Sequence, residues 1–298
     1  MPVRFSDPSD LISSKAVARL LQVVFPCAAL GLSETAEGSA RHGGFAAFAV
    51  TAWCFSFIAT LLIFGIEFTQ LHSLFPPTWK NVSVAATAFA GLLNLASSVT
   101  YPLLVVSADG SRPCLKSGAW SRRPCSYHIA ATVCSSAAFL AYAAEVLMSR
   151  SSRRSTYMAT WPGLLKVLQV SVACVLAVPL ATGAVPPFPG FWWAVAALGA
   201  CALVSLVAMV MVVACRSCCP VPLERMLATF SALGVLLYGA VLVAWTLGLV
   251  GQDHQPAGPE QEDCRWKLCL MFTVLISVNL LAYITDLAYS IKLSCSRN

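Results

Sequence analysis

"FLAYAAEV" at 139–146 and "LLAYITDL" at 280–287 spell nearly the same word. Each reads Leu-Ala-Tyr, two further residues, then an acid: Tyr142 with Glu145, and Tyr283 with Asp286. Both acids sit late in an apolar run, where an ionised carboxylate is costly in hydrocarbon. The same costly placement, twice and 141 residues apart, asks for one structural cause.

The surrounding composition says which solvent the runs meet. Of 298 residues, 58% are hydrophobic and only 11% charged, and mean hydropathy is +0.76. Soluble domains carry about 25% charged residues, so the solvent for most of this chain is lipid. Spans of membrane-crossing length fall near 16–33, 45–71, 82–107, 127–148, 163–184, 191–214, 224–250 and 267–291. They are too long for barrel strands and do not alternate strictly. The predicted fold class is therefore an all-α polytopic membrane protein with eight transmembrane helices. The loops between spans leave no room for a soluble catalytic or nucleic-acid-binding domain. The first span, followed by "SETAEGSA", also has the look of a signal-peptide core. Its near-copy in mid-chain favours a retained helix instead.

That near-copy exposes a repeat. "RLLQVVFPC" (19–27) aligns with "KVLQVSVAC" (166–174) at an offset of 147, and Gly91 aligns with Gly234 at 143. With the acid words at 141, one four-helix unit occurs twice. The predicted organisation is a tail at 1–15, a first unit at 16–149, a basic linker at 150–162, a second unit at 163–292 and a tail at 293–298. An even number of spans per unit gives both units the same orientation. With cytoplasmic termini, ten Lys and Arg residues fall inside and seven outside, in keeping with the positive-inside rule. Asn81-Val82-Ser83 matches a glycosylation acceptor, but is cytoplasmic in this topology and is expected to carry no glycan.

In that orientation Arg19 and Lys166 lie about one turn above the start of the first and fifth helices. Glu145 and Asp286 lie one to two turns above the end of the fourth and eighth, at matching depth. Gln22 and Gln169 follow their bases by three residues; Tyr142 and Tyr283 precede their acids by three. Each group shares a helical face with its partner. Two interhelical polar layers are predicted per unit: Arg19 with Glu145 and Lys166 with Asp286, then Gln22 with Tyr142 and Gln169 with Tyr283. The alternative is that the bases snorkel to headgroups and the acids are solvated at the helix end. Glu67 is a further acid without an equivalent in the repeat, with Arg19 or His72 as its candidate partner. The fourth helix carries a small-residue stripe, Ala130, Cys134, Ala137, Ala138 and Ala141, suited to helix contacts in lipid.

Chemistry is sparse. His42, His72, His128 and His254 are scattered, with no metal-ligand spacing, and no phosphate-cradling, dinucleotide or nucleophile-elbow motif occurs. No catalytic, cofactor-binding or metal residue is assigned, and the chain is expected to be no enzyme. "CRSCCPVP" (215–222) sets Cys215, Cys218 and Cys219 at a cytoplasmic helix end, a setting for S-acylation; plain reduced thiols are the alternative. Cys114 and Cys125 are candidates for an extracellular disulfide. For Cys264, pairing with Cys269 and a free thiol are both open. Asn94, Ser97, Ser98 and Thr100 in the third helix are a faint polar stripe, the only hint of a solute path along the seam between repeats.

The words "YMATWPGLLKVLQ" (157–169), "VNLLAYITDLAYS" (278–290), "FLAYAAEV" and "WCFSF…IEF" (53–68) resemble the myeloid-associated differentiation marker family, over essentially the whole length. Its members carry two MARVEL domains of four helices each. The resemblance implies membrane organisation: cholesterol-rich ordered domains, vesicle trafficking, junctions and the cell cortex. It implies membrane lipids, anionic inner-leaflet lipid included, and other membrane or cortical proteins as partners, and the plasma membrane and trafficking vesicles as location. No cofactor and no catalytic residue come with it. A small-solute transporter or channel is the alternative function.

Overall fold

The computed structural model describes residues 14–35, 44–70, 76–106, 123–151, 157–185, 188, 190–214, 223–251 and 259–295. Eight helices cross-membrane in length and apolarity occupy them: α1 (Ser14–Thr35), α2 (Gly44–Phe68), α3 (Pro76–Thr100), α4 (Arg123–Ser151), α5 (Trp161–Ala181), α6 (Phe191–Ala214), α7 (Leu223–Gly251) and α8 (Pro259–Cys295). In hydrocarbon every backbone N–H needs an internal partner, which selects helices for such apolar runs. Prolines stand at the starts of α3 and α8, where the missing N–H costs nothing. α3 runs on into a π-helical turn, Tyr101–Val106, that holds Pro102. α5 ends where Gly183 turns left-handed (φ 64°), and the Pro179 carbonyl accepts the Ala184 N–H at 3.0 Å.

The chain divides into two compact units, Met1–Thr160 and Trp161–Asn298. In unit 1, α1 and α3 each pack on both α2 and α4. In unit 2, α5 and α7 each pack on both α6 and α8. Each unit is thus a closed ring of four antiparallel helices, closed by its first helix meeting its last. The division falls inside the segment read from sequence as a linker. The reason is local: Met158 and Ala159 are buried in a short 3-10 turn, and the Met158 N–H donates to Asn81 Oδ1 at 3.3 Å. This ties "YMA" to unit 1. It also places the Asn81 acceptor motif at the rim where α4 ends.

α4 and α8 carry their buried faces in one register. His128, Ala131, Ser135, Ala138, Tyr142 and Glu145 are buried on α4; Cys269, Phe272, Ile276, Asn279, Tyr283 and Asp286 are buried on α8. Every pair is 141 residues apart. The stripe expected on α4 from small residues is therefore displaced. Ala138 and Ala141 face inward, whereas Ala130, Cys134 and Ala137 are only half-buried, because the large Tyr142 sets which face turns in. α2 and α6 match likewise at 145, with Ala49, Ala52, Trp53 and Thr60 facing Ala194, Ala197, Leu198 and Ser205 in the comparison. Outward positions are apolar: Leu140 and Leu281 are each more than 60% exposed, as a lipid-facing surface requires.

Candidate functional site

The densest chemistry in each unit is the buried charge layer where the first helix meets the last. In unit 1, Arg19 of α1 is 4% exposed. Its Nε donates to Glu145 Oε1 at 3.0 Å and its Nη2 lies 2.9 Å from the same oxygen. The other edge of the guanidinium grips Glu67 of α2: Nη2 donates to Oε1 at 2.8 Å, and Nη1 to Oε2. Lys15 Nζ stands 3.8 Å from Glu67 on the open side. Gln22 Nε2 closes the inner side, donating to Glu145 Oε2 at 2.8 Å and to the Ala141 carbonyl at 3.2 Å. The planar five-donor fork of arginine presents two edges, one to each carboxylate. Two bases thus stand against two acids.

Unit 2 solves the same problem differently. Lys166 Nζ of α5 lies 2.5 Å from Asp286 Oδ2 of α8. It also donates to Ser231 Oγ of α7 at 3.2 Å, and Ser231 in turn donates to Asp286. The position of Glu67 is taken by Val212, 1% exposed. The position of Ser231 is taken in unit 1 by Ala88, 8% exposed. A point-charge ammonium needs only one carboxylate, and a serine bridges what remains.

One layer deeper, each unit has the same tyrosine seat. Tyr142 Oη shares a 2.7 Å hydrogen bond with Thr60 Oγ1 and donates to the Ser56 carbonyl at 3.0 Å. Tyr283 Oη shares 2.6 Å with Ser205 Oγ and reaches the Cys201 carbonyl at 3.3 Å. Both pairs are a hydroxyl and the carbonyl one turn before it. On the other side of each ring stands the aligned glycine. A Cβ on Gly91 would lie 2.9 Å from Tyr142 Cβ, and one on Gly234 would run into the Tyr283 ring. Glycine is required there by close approach of α3 to α4 and of α7 to α8.

The predicted polar residues therefore meet, but not all as expected. Arg19 reaches Glu145 and Lys166 reaches Asp286. The Gln22 side chain does not pair with Tyr142; its amide joins the charge layer, and Tyr142 Oη reaches only the Gln22 backbone carbonyl, at 3.4 Å. Gln169 meets Tyr283 through Ser205, which donates to Gln169 Oε1 at 3.3 Å. Glu67 takes Arg19; His72 lies outside the described residues. Ser231, Thr60 and Ser205 were not foreseen. Thr60 and Ser205 align at 145 and were findable by comparing α2 with α6; Ser231, facing Ala88 in the repeat, left no such trace.

Asn94, in the faint stripe of α3, is turned into helix contacts. Its Nδ2 donates to Ser56 Oγ at 2.7 Å and its backbone carbonyl accepts from Ser135 Oγ at 2.9 Å. Trp53 Nε1 donates to the same serine at 3.0 Å. Ser98 and Thr100 bond carbonyls of their own helix. Cys125 is disulfide-bonded; Cys114, like Cys215, Cys218, Cys219, His42 and His254, lies outside the described residues. Cys269 is in the thiol form, which removes its pairing with Cys264. Among the described residues no three metal-ligating side chains converge.

A family model described as a membrane-associating domain, MARVEL, matches residues 10–148, within unit 1. A myeloid-associated differentiation marker homolog of Xenopus laevis is 31% identical, across 96% of this chain and 94% of its own length. This chain belongs to that family. The human myeloid-associated differentiation marker is also 31% identical, over 98% of this chain and 92% of its own. A myeloid-associated differentiation marker-like protein 2 of Bos taurus is 32% identical over 93% and 91%. No solved structure matches. Within the family, then, the tandem of two four-helix units is a multi-pass membrane protein, and no enzyme family is indicated.

Proposed function

We propose that this myeloid-associated differentiation marker relative is a non-enzymatic organiser of cholesterol-rich ordered membrane domains, with its termini in the cytoplasm of the plasma membrane and of trafficking vesicles. The observation that carries the reading is the fate of the buried charges. Arg19, Glu67, Glu145, Lys166 and Asp286 are each held by an opposite charge of the same unit. Charges neutralised in this way fix helix contacts and are not poised for proton transfer or for a migrating ion. What each unit presents outward is an apolar, lipid-facing wall. Its partners are ordered-phase lipids, anionic inner-leaflet lipid at the basic segment "SRSSRRSTYM" (149–158), and neighbouring membrane or cortical proteins. Saturated acyl chains on Cys215, Cys218 and Cys219 would favour the ordered phase.

Phase partition in cell-derived giant vesicles tests this. The native chain is expected to enrich in the ordered phase, and a Cys215→Ser/Cys218→Ser/Cys219→Ser variant to lose that enrichment. Exclusion of both from the ordered phase would overturn the proposal.

A further inference from the structure

α4 faces a choice of partner that the sequence alone makes ambiguous. Its Glu145 needs a base from the start of a helix that carries Leu-Gln-Val next. α1 offers Arg19-x-x-Gln22, but α5 offers Lys166-x-x-Gln169 and begins only nine residues after α4 ends (152–160). α1, by contrast, lies across the whole of unit 1 in sequence. The packing code beneath the charges is the same in both units: a tyrosine on the last helix, a glycine facing it, a hydroxyl capping it. That shared code lies on the second, third and fourth helices of each unit and so does not tell α1 from α5.

The charges do. α1 brings two bases, Lys15 and Arg19, and unit 1 receives them with two acids, Glu67 and Glu145. α5 brings one base, Lys166, because the residue aligned with Lys15 is Pro162. Unit 2 receives it with one acid, Asp286, a serine at 231 and an apolar Val212 where Glu67 would stand. If α5 closed unit 1, a carboxylate would be left uncompensated in a buried, lipid-surrounded layer. If α1 closed unit 2, a guanidinium fork built for two carboxylates would find one carboxylate and a valine. We propose that these unlike charge sets are a sorting code, which assigns α1 to α4 and α5 to α8 as the helices assemble. Discrimination of this kind comes from the penalty on the wrong pair as much as from the right pair.

The experiment uses the full chain carrying photoreactive benzoyl-phenylalanine at position 25, since Phe25 packs against Ala138 and Tyr142 of α4. Adducts are mapped by mass spectrometry to α4 or elsewhere. In a chain given one code twice (Lys15→Ala, Arg19→Lys, Glu67→Val, Ala88→Ser), α4 loses its means of choosing. Its share of adduct is expected to fall about twofold, the statistical limit for two equal partners. A second chain adds Pro162→Lys, Lys166→Arg, Val212→Glu and Ser231→Ala, so that both codes are present but exchanged. There the α4 adduct is expected to recover. An α4 share unchanged in the first chain, or as low in the second as in the first, would overturn the sorting code. Should the first chain fail to reach the membrane, the second decides alone: an α4 share at the native level supports the code, and a share at half of it or less overturns it.

Discussion

Unit 1 and unit 2 hold their ring closed at the same place with different materials. Unit 1 uses an arginine fork between two carboxylates, with an amide from Gln22 completing the inner face. Unit 2 uses an ammonium against one carboxylate, with Ser231 bridging and Val212 filling the space of the second acid. The cores behind these layers differ in the same sense. α4 lines unit 1 with Ala131, Ser135 and Ala138, and Trp53 and Asn94 feed a hydrogen-bonded chain through it. α8 lines unit 2 with Phe272, Ile276 and Asn279; Phe272 meets Trp245 edge-on and Asn279 donates to Tyr238 Oη. Where a unit spreads its charge over more partners, it also packs smaller residues and more polar contacts. The fold thus tolerates two chemistries so long as the charge is balanced and the tyrosine has its seat.

The sharpest way to break the comparison is to remove one acid from each unit. Asp286→Asn leaves Lys166 with a serine alone, and should destabilise by about 3–5 kcal/mol, the cost of stranding a buried charge. Glu145→Gln leaves Arg19 gripping Glu67, and should cost only about 1.5–3 kcal/mol, the range for a hydrogen bond to a charged group. Thermal unfolding of the two variants in lipid nanodiscs checks the order; equal losses would mean that Glu67 does not share the load.

Charge reversal comes next. Lys166→Asp with Asp286→Lys should restore surface delivery to within about twofold of the native chain, because the reversed pair has no third charge to meet. Arg19→Glu with Glu145→Lys should recover only in part, since the new carboxylate at 19 faces Glu67. Flow cytometry of an outside epitope reads both; full rescue in unit 1 would remove Glu67 from the cluster.

The shared tyrosine seat should respond alike in both units. Gly91→Ala and Gly234→Ala are each expected to destabilise by about 1–3 kcal/mol through overpacking against Tyr142 and Tyr283. Smaller still, Tyr142→Phe and Tyr283→Phe should each cost about 0.6 kcal/mol, the average for an interhelical hydrogen bond in a membrane protein. Chemical denaturation in mixed micelles separates the two classes. A glycine variant no worse than its tyrosine variant would show that the helices can move apart there.

Most of the architecture was legible because lipid makes it so. Apolar runs too long for strands, no room for soluble domains and a repeat at 141–147 residues determine eight helices in two like units. The acids late in α4 and α8 called for bases at equal depth, and Arg19 and Lys166 stood there, each three residues before a glutamine. Depth along a helix is one-dimensional, so a sequence can state it. What it could not state was azimuth: which side chain on a face turns toward which neighbour. That decided whether Gln22 joined Glu145 or Tyr142, which stripe of α4 turned inward, that Glu67 took the far edge of Arg19, and that Ser231 bridged Lys166 to Asp286. These contacts join three helices at once, and the choice among them is made by the shape of the closed ring, in which Gly91 and Gly234 let the tyrosines of α4 and α8 set the rotation of the helices that carry the charges.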